Sequence, residues 1–354
     1  MAMFLPATFI FCLLIPFTVS QDISAIFAFG DSTIDAGNND YITTWLRSNH
    51  VPYGRDLTEV PVPTGRFSNG KLITDFLVSA LGLKSLLPAY LDPMITDLDL
   101  LTGVSFASAG SGFDDRTTTT DNVIKMSKQI QYFEECVERI RRVRGAVEAI
   151  RVVNDAVFVI SAGTNDMLWN FYDLPTREVE FTVSGYHDFL LNNLIDLVQK
   201  IYKMGGRKIT IAGLPPVGCL PLQMFAGDIV SNTSKLRRPI CINGQNEDAK
   251  AYNIKLQGLI TSMQASHSDS KILYVDIFNP LMDMIQNPKK YGFEDTTRGC
   301  CGTGLVEMAA MCNSLSVTCR NASNFLFWDA IHPTQSAYQA LAFHALETVF
   351  PLLE

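Results

Sequence analysis

Five short apolar runs, separated by amphipathic segments of helix length, restrict the fold of this 354-residue sequence more than any other feature. The runs cover residues 25–29, 103–107, 156–160, 208–212 and 271–277, and the amphipathic segments lie near 70–81, 123–150, 184–204, 245–266 and 334–347. A strand that is apolar throughout is buried on both faces of its sheet, and helix-length connections make neighbouring strands parallel. The right-handed crossover rule then predicts an α/β chain, a three-layer α/β/α sandwich around a mostly parallel five-stranded sheet.

Small and polar residues follow these runs at their carboxyl ends. Residues 30–32 follow the first run, 108–112 the second and 161–166 the third. In sheets of this kind the reactive groups gather at the carboxyl ends of the strands. We therefore expect a functional site at this edge, and we expect the stretches 213–244 and 291–325 to be loop excursions.

The first twenty residues resemble a secretory signal peptide. They contain no charged side chain, and an apolar run over residues 9–17 precedes small residues that end at Ser20. The run is shorter than the ~20 apolar residues that span a bilayer, although an uncleaved anchor is the alternative interpretation. We predict a signal peptide over residues 1–20, a secreted mature chain without stable membrane insertion, and glycosylation at the sequons that begin at Asn232 and Asn321.

Secretion would place the cysteines in an oxidising compartment, where most of them pair. The chain has 8 cysteines, and removal of Cys12 with the signal peptide would leave an odd number and therefore a free thiol. A zinc site is the alternative, but no CxxC pair is present, so no metal is expected. The short-loop pairings are Cys219 with Cys241, and Cys300 or Cys301 with Cys312 or Cys319.

Composition excludes some classes of partner and cofactor. A net charge of −8 and an isoelectric point near 5.2 argue against a nucleic-acid partner, because phosphate binding needs a cationic surface. The phosphate-binding patterns GxGxxG and GxxxxGK[ST] are absent, which disfavours a nucleotide-binding protein of the same fold class. We expect no cofactor.

One histidine stands out among the five. His332 follows Asp329 by three residues and precedes Pro333, so that a single turn can present the carboxylate and the imidazole together. Acyl transfer by a serine needs such a base and such an orienting carboxylate. The other four histidines are predicted to be surface residues (His50, His187, His267) or a packing residue within a helix (His344).

Ser32 is the strongest candidate for a nucleophile. It opens the turn after the first run, where backbone N–H groups at a helix start lack partners and can hold an oxyanion. A helix cap is the alternative role for this side chain. The GxSxG pattern of the α/β-hydrolases is absent, so their geometry is not assumed.

Several segments resemble, in order, the sequence blocks of the plant GDSL-type esterase/lipases of the SGNH hydrolase superfamily. They are residues 29–39, 65–70, 103–110, 163–166 and 329–333, and they extend over nearly the whole mature chain. The resemblance implies a flavodoxin-like SGNH hydrolase fold and a secreted carboxylic ester hydrolase, and it is strongest toward the anther extracellular lipases.

The resemblance also implies residue roles. Ser32 would be the nucleophile and would donate its backbone N–H to the oxyanion hole, together with the N–H of Gly110 and the amide of Asn165. His332 would act as general base and then general acid, and Asp329 would orient it.

This sequence departs from the family pattern at three positions near the proposed site. Thr33 replaces the leucine that gives the motif its name. Ser105 stands where asparagine is more common, and Ala109 where glycine is more common. The second and third departures leave both Gly110 and Gly112 open as the oxyanion donor.

A triad of this kind requires both ends of the chain to meet, which favours one hydrolase domain over residues 21–354. The substrate class would be a small-molecule or lipid ester. Short acyl esters, lipid or cutin-like esters and acetylated polysaccharides all stay open, as does the oligomeric state. A secreted binding or structural protein that keeps the fold without activity is the alternative function.

Overall fold

A computed structural model describes residues 23–58, 62–119, 121–174, 176–231 and 240–353. The strands are β1 (Ile26–Gly30), β2 (Val157–Ser161), β3 (Lys208–Ala212), β4 (Lys271–Val275), β5 (Asp295–Gly299) and β6 (Phe325–Phe327). The α-helices are α1 (Ile73–Ala80), α2 (Asp97–Leu100), α3 (Asp115–Thr119), α4 (Met126–Arg144), α5 (Ala146–Asp155), α6 (Val183–Lys203), α7 (Pro221–Ser231), α8 (Asn243–Ser266), α9 (Phe278–Gln286) and α10 (Gln335–Thr348). A π-helical segment covers Asp166–Asp173.

The central sheet is parallel, with strands in the order β1-β2-β3-β4. Alternate residues of β1 and β2 enter different apolar clusters, as the two-residue period of a strand requires. One cluster joins Phe27, Phe29, Phe158 and Ile160 to α4, α6 and α8. The other joins Ile26, Ala28, Val157 and Val159 to α1 and α10. The predicted three-layer α/β/α arrangement is therefore confirmed.

The expected fifth strand, residues 103–107, is not a regular strand. Its backbone nevertheless bonds to β1 in a parallel pattern: Ala28 N–H donates to Val104 O at 3.1 Å, and Phe106 N–H donates to Ala28 O at 2.8 Å. Gly103 has a φ of 98°, outside the strand region. The Ser105 N–H donates to Pro88 O, and Ser105 O accepts the N–H of Tyr90, so that these backbone groups do not pair with a further strand.

Counting this edge segment, the strands lie in the chain order 2-1-3-4-5 that flavodoxin-like sheets show. The predicted five-stranded sheet thus has four regular strands, and the fifth run is bonded to β1 as an irregular edge.

Several helices differ from the sequence-based expectations. The segment 123–150 divides at Gly145, whose φ of 85° ends α4 before α5 begins. The stretch 213–244, expected to be a loop, contains α7, which begins at Pro221. Proline is well suited to the first turn of a helix, although the sequence around Pro221 is also typical of a loop. The stretch 291–325 contributes β5 and β6, which pair in parallel as a separate two-stranded sheet.

Three disulfides are formed, and they select among the pairings that the sequence left open. Cys219 pairs with Cys241, Cys300 with Cys319 and Cys301 with Cys312. Among the described cysteines Cys136 is free, and burial raises the pKa of its thiol to about 12. A buried thiol with so high a pKa carries little reactive thiolate, so we assign it to core packing.

None of the helices in the described ranges is both long and apolar enough to cross a membrane. The predicted signal peptide over residues 1–20 and the sequon at Asn232 lie outside the described residues.

The expectation that His187 lies on the surface is wrong. The residue is 1% exposed, within α6, and its ring meets the Tyr252 ring edge-on at 5.5 Å between centroids. Neither ring nitrogen has a hydrogen-bond partner among the described residues. Burial disfavours the charged imidazolium and lowers the pKa of His187 to about 4.

This burial predicts a loss of stability in acid. A histidine in an unfolded chain has a pKa of ~6.5. Below that pH the unfolded chain therefore binds a proton at His187, whereas the folded chain keeps this side chain neutral. The free energy of unfolding should therefore fall as the pH drops from ~6.5 toward 4, by on the order of 2–3 kcal/mol from this group. Urea unfolding of wild type and His187→Phe at several pH values measures the difference. A His267→Phe variant, which changes a half-buried histidine, is the control. Equal pH slopes for wild type and His187→Phe would contradict the prediction.

Candidate active site

The turn after β1 places Ser32 at the carboxyl edge of the sheet. Gly30 is required there, because a Cβ at this position would lie 1.9 Å from Ser161 O of β2. The Asp31 carboxylate accepts the N–H of Thr33 at 3.0 Å and so caps the turn. The capping role proposed as an alternative for Ser32 is thus filled by Asp31, and the Ser32 hydroxyl faces elsewhere.

The structure brings Ser32, His332 and Asp329 together in one hydrogen-bonded series. Ser32 Oγ lies 2.8 Å from His332 Nε2, although the two residues are 300 positions apart. His332 Nδ1 lies 2.8 Å and 2.7 Å from the two carboxylate oxygens of Asp329. All three residues are at least nine-tenths buried. A hydroxyl, an imidazole and a carboxylate therefore meet in the order that nucleophilic acyl transfer needs.

The Asp329 carboxylate is itself held by several donors. Its Oδ1 accepts the backbone N–H groups of Ile331 at 2.9 Å and His332 at 2.7 Å. The Tyr53 hydroxyl donates to Oδ2 at 2.7 Å and accepts the N–H of Ala309 at 2.9 Å. Tyr53 is completely buried, and burial beside Asp329 raises its pKa well above the ordinary value. Tyr53 is the site residue that the sequence analysis missed, because nothing in its local sequence marks a partner 276 positions away.

The segment 65–70 holds the loop that carries His332. The Phe67 ring lies against the imidazole, with 4.9 Å between centroids. Asn69 Oδ1 accepts the N–H of Gln335 at 2.8 Å, and Ser68 Oγ donates to Pro333 O at 3.2 Å. Pro333 and Gln335 are therefore bonded to this segment, which fixes the chain on the C-terminal side of His332.

Buried polar groups of residues 35–39 tie the edge segment to the nucleophile turn. The Asp35 carboxylate accepts the N–H groups of Gly37 at 2.8 Å and of Ala109 at 2.9 Å. Its burial raises the pKa of Asp35 to about 6 despite these donors. The Asn39 amide donates to Ala109 O at 3.0 Å. These bonds fix the backbone immediately before Gly110 relative to Ser32.

Three groups could bind an oxyanion. Gly110 follows the edge segment, Ser32 follows β1 and Asn165 follows β2. The backbone N–H groups of Ser32 and Gly110 find no acceptor within the described ranges. Gly110 has a φ of 83°, and a Cβ there would lie 2.3 Å from the Leu46 side chain. Asn165 Nδ2 donates to Ser111 O at 2.9 Å, and Trp169 Nε1 donates to Asn165 Oδ1 at 3.3 Å. The Asn165 amide is thus oriented and keeps a second N–H beside the Gly110 loop.

The alternative donor, Gly112, lies against a carboxylate. A Cβ on Gly112 would lie 2.2 Å from Asp166 Oδ1. Asp166 accepts the N–H of Phe113 at 2.8 Å and the N–H of Asp114 at 3.1 Å, and burial raises the pKa of Asp166 to about 7. An acidic group beside Gly112 disfavours the binding of an oxyanion there. This favours Gly110 over Gly112 as the oxyanion donor.

No cluster of three histidine, cysteine, aspartate or glutamate side chains that could hold a metal ion occurs in the described part of the chain.

A serine, a histidine and an aspartate in series at the carboxyl edge of a parallel α/β sheet form the arrangement of a serine hydrolase. Comparison with known families and proteins identifies which one. The family model for GDSL-like lipase/acylhydrolase matches residues 26–345. The chain belongs to this family.

Two curated relatives are plant proteins that are named GDSL esterase/lipase. The chain is 52% identical over 335 residues to the GDSL esterase/lipase At2g40250 of Arabidopsis thaliana, which covers 94% of this chain and 92% of the relative. It is 45% identical over 329 residues to the GDSL esterase/lipase At1g06990 of the same plant, covering 93% and 90%. The family resemblance inferred from the sequence is confirmed, and the assignment to the anther subgroup stays a prediction.

The bond from Tyr53 to Asp329 predicts a defect in turnover. Tyr53→Phe removes one hydrogen bond to a charged acceptor, worth ~1.5–3 kcal/mol, so kcat should fall about tenfold or more with KM little changed. Tyr202→Phe is the matched control, because the Tyr202 hydroxyl also donates to an aspartate, Asp269, at 2.7 Å but on the surface. Initial rates on p-nitrophenyl butanoate, normalised to titrated active sites, measure both. Equal kcat values for the two variants would contradict the positioning role.

Proposed function

We propose that this protein is a carboxylic ester hydrolase that works through an acyl-enzyme on Ser32, with lipid or other acyl esters as substrates. The observation that carries the proposal is the 2.8 Å contact between Ser32 Oγ and His332 Nε2. Family membership supports the reaction class, and the geometry of the site supports the assignment of roles to residues.

The first half-reaction begins at the Ser32 hydroxyl. Oγ attacks the ester carbonyl carbon as His332 Nε2 takes its proton, which gives a tetrahedral intermediate and an imidazolium. The intermediate collapses when the bond to the alcohol oxygen breaks, and His332 returns the proton to that oxygen. The alcohol leaves, and the acyl group stays on Ser32 as an ester.

The second half-reaction repeats these steps with water. His332 takes a proton from the attacking water, a second tetrahedral intermediate forms, and Ser32 Oγ leaves with the proton that His332 gives back. The products are the free acid and the original enzyme.

Asp329 supports both halves without reacting. Its carboxylate accepts a hydrogen bond from the N–H of His332 Nδ1, which keeps Nε2 free as the base and stabilises the imidazolium when it forms. The donors from Tyr53, Ile331 and the His332 backbone hold the carboxylate in position for this role.

The oxyanion would be bound by the N–H groups of Ser32 and Gly110 and by the amide of Asn165. Both backbone donors lack other acceptors among the described residues, and the Asn165 amide is already oriented by its neighbours. Donors that are fixed before the reaction stabilise the developing charge without reorganisation.

We also propose that the protein is secreted as one hydrolase domain after removal of residues 1–20, and that Asn321 carries a glycan. Three disulfides support an oxidising compartment. Asn321 and Ser323 of the sequon are exposed, so that a glycan on Asn321 can be accommodated.

The nucleophile assignment predicts covalent labelling. A fluorophosphonate probe should label wild type at Ser32 and should leave Ser32→Ala unlabelled, and hydrolysis of p-nitrophenyl esters should be lost in the same variant. Ser161→Ala, which removes a nearby hydroxyl that lies 3.0 Å from Thr33 Oγ1, is the control and should still be labelled. Activity should persist in EDTA. A folded wild-type protein that takes up no label would support the binding or structural alternative instead.

The oxyanion assignment predicts a graded effect for Asn165. Loss of one oxyanion donor typically costs about a hundredfold in kcat, so Asn165→Ala should be strongly impaired yet measurably active. Asn193→Ala is a matched control, because the Asn193 amide donates to Phe113 O at 2.9 Å and so anchors the same loop. A comparable loss of kcat in both variants would assign Asn165 to loop anchoring alone.

A further inference from the structure

A cavity of about 100 Å³ lies between the central sheet and the layer formed by α1 and α10. Val159 of β2 and Val275 of β4 form its floor, and Leu77 of α1 and Leu341 of α10 lie on the opposite wall. All four side chains are buried. The cavity is therefore part of the apolar interior on the face of the sheet that these two helices cover.

The cavity reaches the carboxyl edge of the sheet beside the triad. Thr33 and Ile331 line it, and they are the immediate neighbours of Ser32 and His332 in the chain. Thr164, which precedes Asn165, lines it as well. These three residues are half-buried, whereas the floor and wall residues named above are buried. The mouth of the cavity thus lies next to the proposed nucleophile, base and oxyanion donor.

The walls offer almost nothing to a polar occupant. No lining residue is charged. Thr33 Oγ1 donates to Asp31 at 2.7 Å and lies 3.0 Å from Ser161 Oγ, and Thr210 Oγ1 donates to Phe158 O at 3.2 Å. The Tyr338 hydroxyl has no partner among the described residues but is covered by protein atoms. An apolar group is the occupant that such walls favour.

The volume limits the length of this occupant. A dry apolar cavity of ~150 Å³ holds benzene, and a water-sized group takes up ~30 Å³. A cavity of about 100 Å³ therefore accommodates roughly three or four methylene-sized groups at ~30 Å³ each.

We propose that this cavity is the acyl pocket of the enzyme and that it selects short linear acyl chains of about four carbons. The proposal rests on the ester hydrolase function proposed above and names its substrate class. The ester carbonyl lies at Ser32, and the hydrocarbon chain passes Thr33 and Ile331 into the cavity. Longer chains would have to displace Leu77 or Leu341 from their packed positions, which a close-packed interior resists.

A chain-length series of p-nitrophenyl esters tests the proposal. From acetate to butanoate, each methylene that enters the cavity should raise kcat/KM about fourfold, and the value should fall from hexanoate onward. Leu341→Phe should fill the cavity and lower the ratio of kcat/KM for butanoate to kcat/KM for acetate at least tenfold. Leu341→Ala should enlarge it and move the optimum to hexanoate or longer.

Leu194→Ala is the matched control, since Leu194 is a fully buried leucine of α6 that does not line the cavity. It should lose stability as Leu341→Ala does and keep the wild-type chain-length profile. Circular dichroism checks folding, and if a Leu341 variant does not fold, Leu77→Phe and Leu77→Ala apply the same test from α1.

The outcomes separate this proposal from the function on which it rests. Ser32-dependent hydrolysis with the same profile in wild type and in all cavity variants would overturn the acyl pocket and leave the hydrolase in place. A wild-type optimum at eight carbons or more would also overturn it. A wild type that neither hydrolyses any ester nor takes up a fluorophosphonate would overturn both.

Discussion

The site depends on the hydrogen bond between Ser32 Oγ and His332 Nε2, which spans 2.8 Å in space and 300 positions in sequence. Ser32 is placed by β1, the strand next to the irregular edge. His332 is placed by the loop before α10, and α10 packs on one face of the sheet to which β1 belongs. Both ends of the chain must therefore fold onto one sheet before either side chain can act. The segment 65–70 secures this meeting through its contacts with Pro333 and Gln335.

The edge segment is irregular where it forms part of the site. The backbone of residues 103–108 still bonds to β1, but its outer groups bond to buried asparagine amides and to residues 88–90. Asn38 Nδ2 donates to Ser105 O and to Ala107 O, both at 2.8 Å, and Asp35 holds the N–H of Ala109. Buried polar groups are stable only when their partners are present, so this network orders the Gly110 loop as a unit.

Sequence reasoning succeeded where the signal is local. Four of the five apolar runs are strands, because continuous burial leaves an uninterrupted hydrophobic pattern. Asp329 and His332 were found together because a spacing of three residues marks a single turn. The polar surroundings of His187 in the sequence predict a surface position, whereas its side chain faces the protein interior from α6. Helix α7 was missed because proline and cysteine residues around its start look like loop signals.

The sequence by itself determined the four strands of the central sheet, the family, and three side chains that meet at the site, Ser32, Asp329 and His332. These follow from periodicity and from short blocks, which are properties of neighbouring residues. Only the tertiary structure decided that Tyr53 bonds to Asp329, how six cysteines pair, and that a cavity ends beside Thr33 and Ile331. Contacts of this kind join residues from distant parts of the chain, and their geometry is set by packing, which leaves no periodic trace in the sequence.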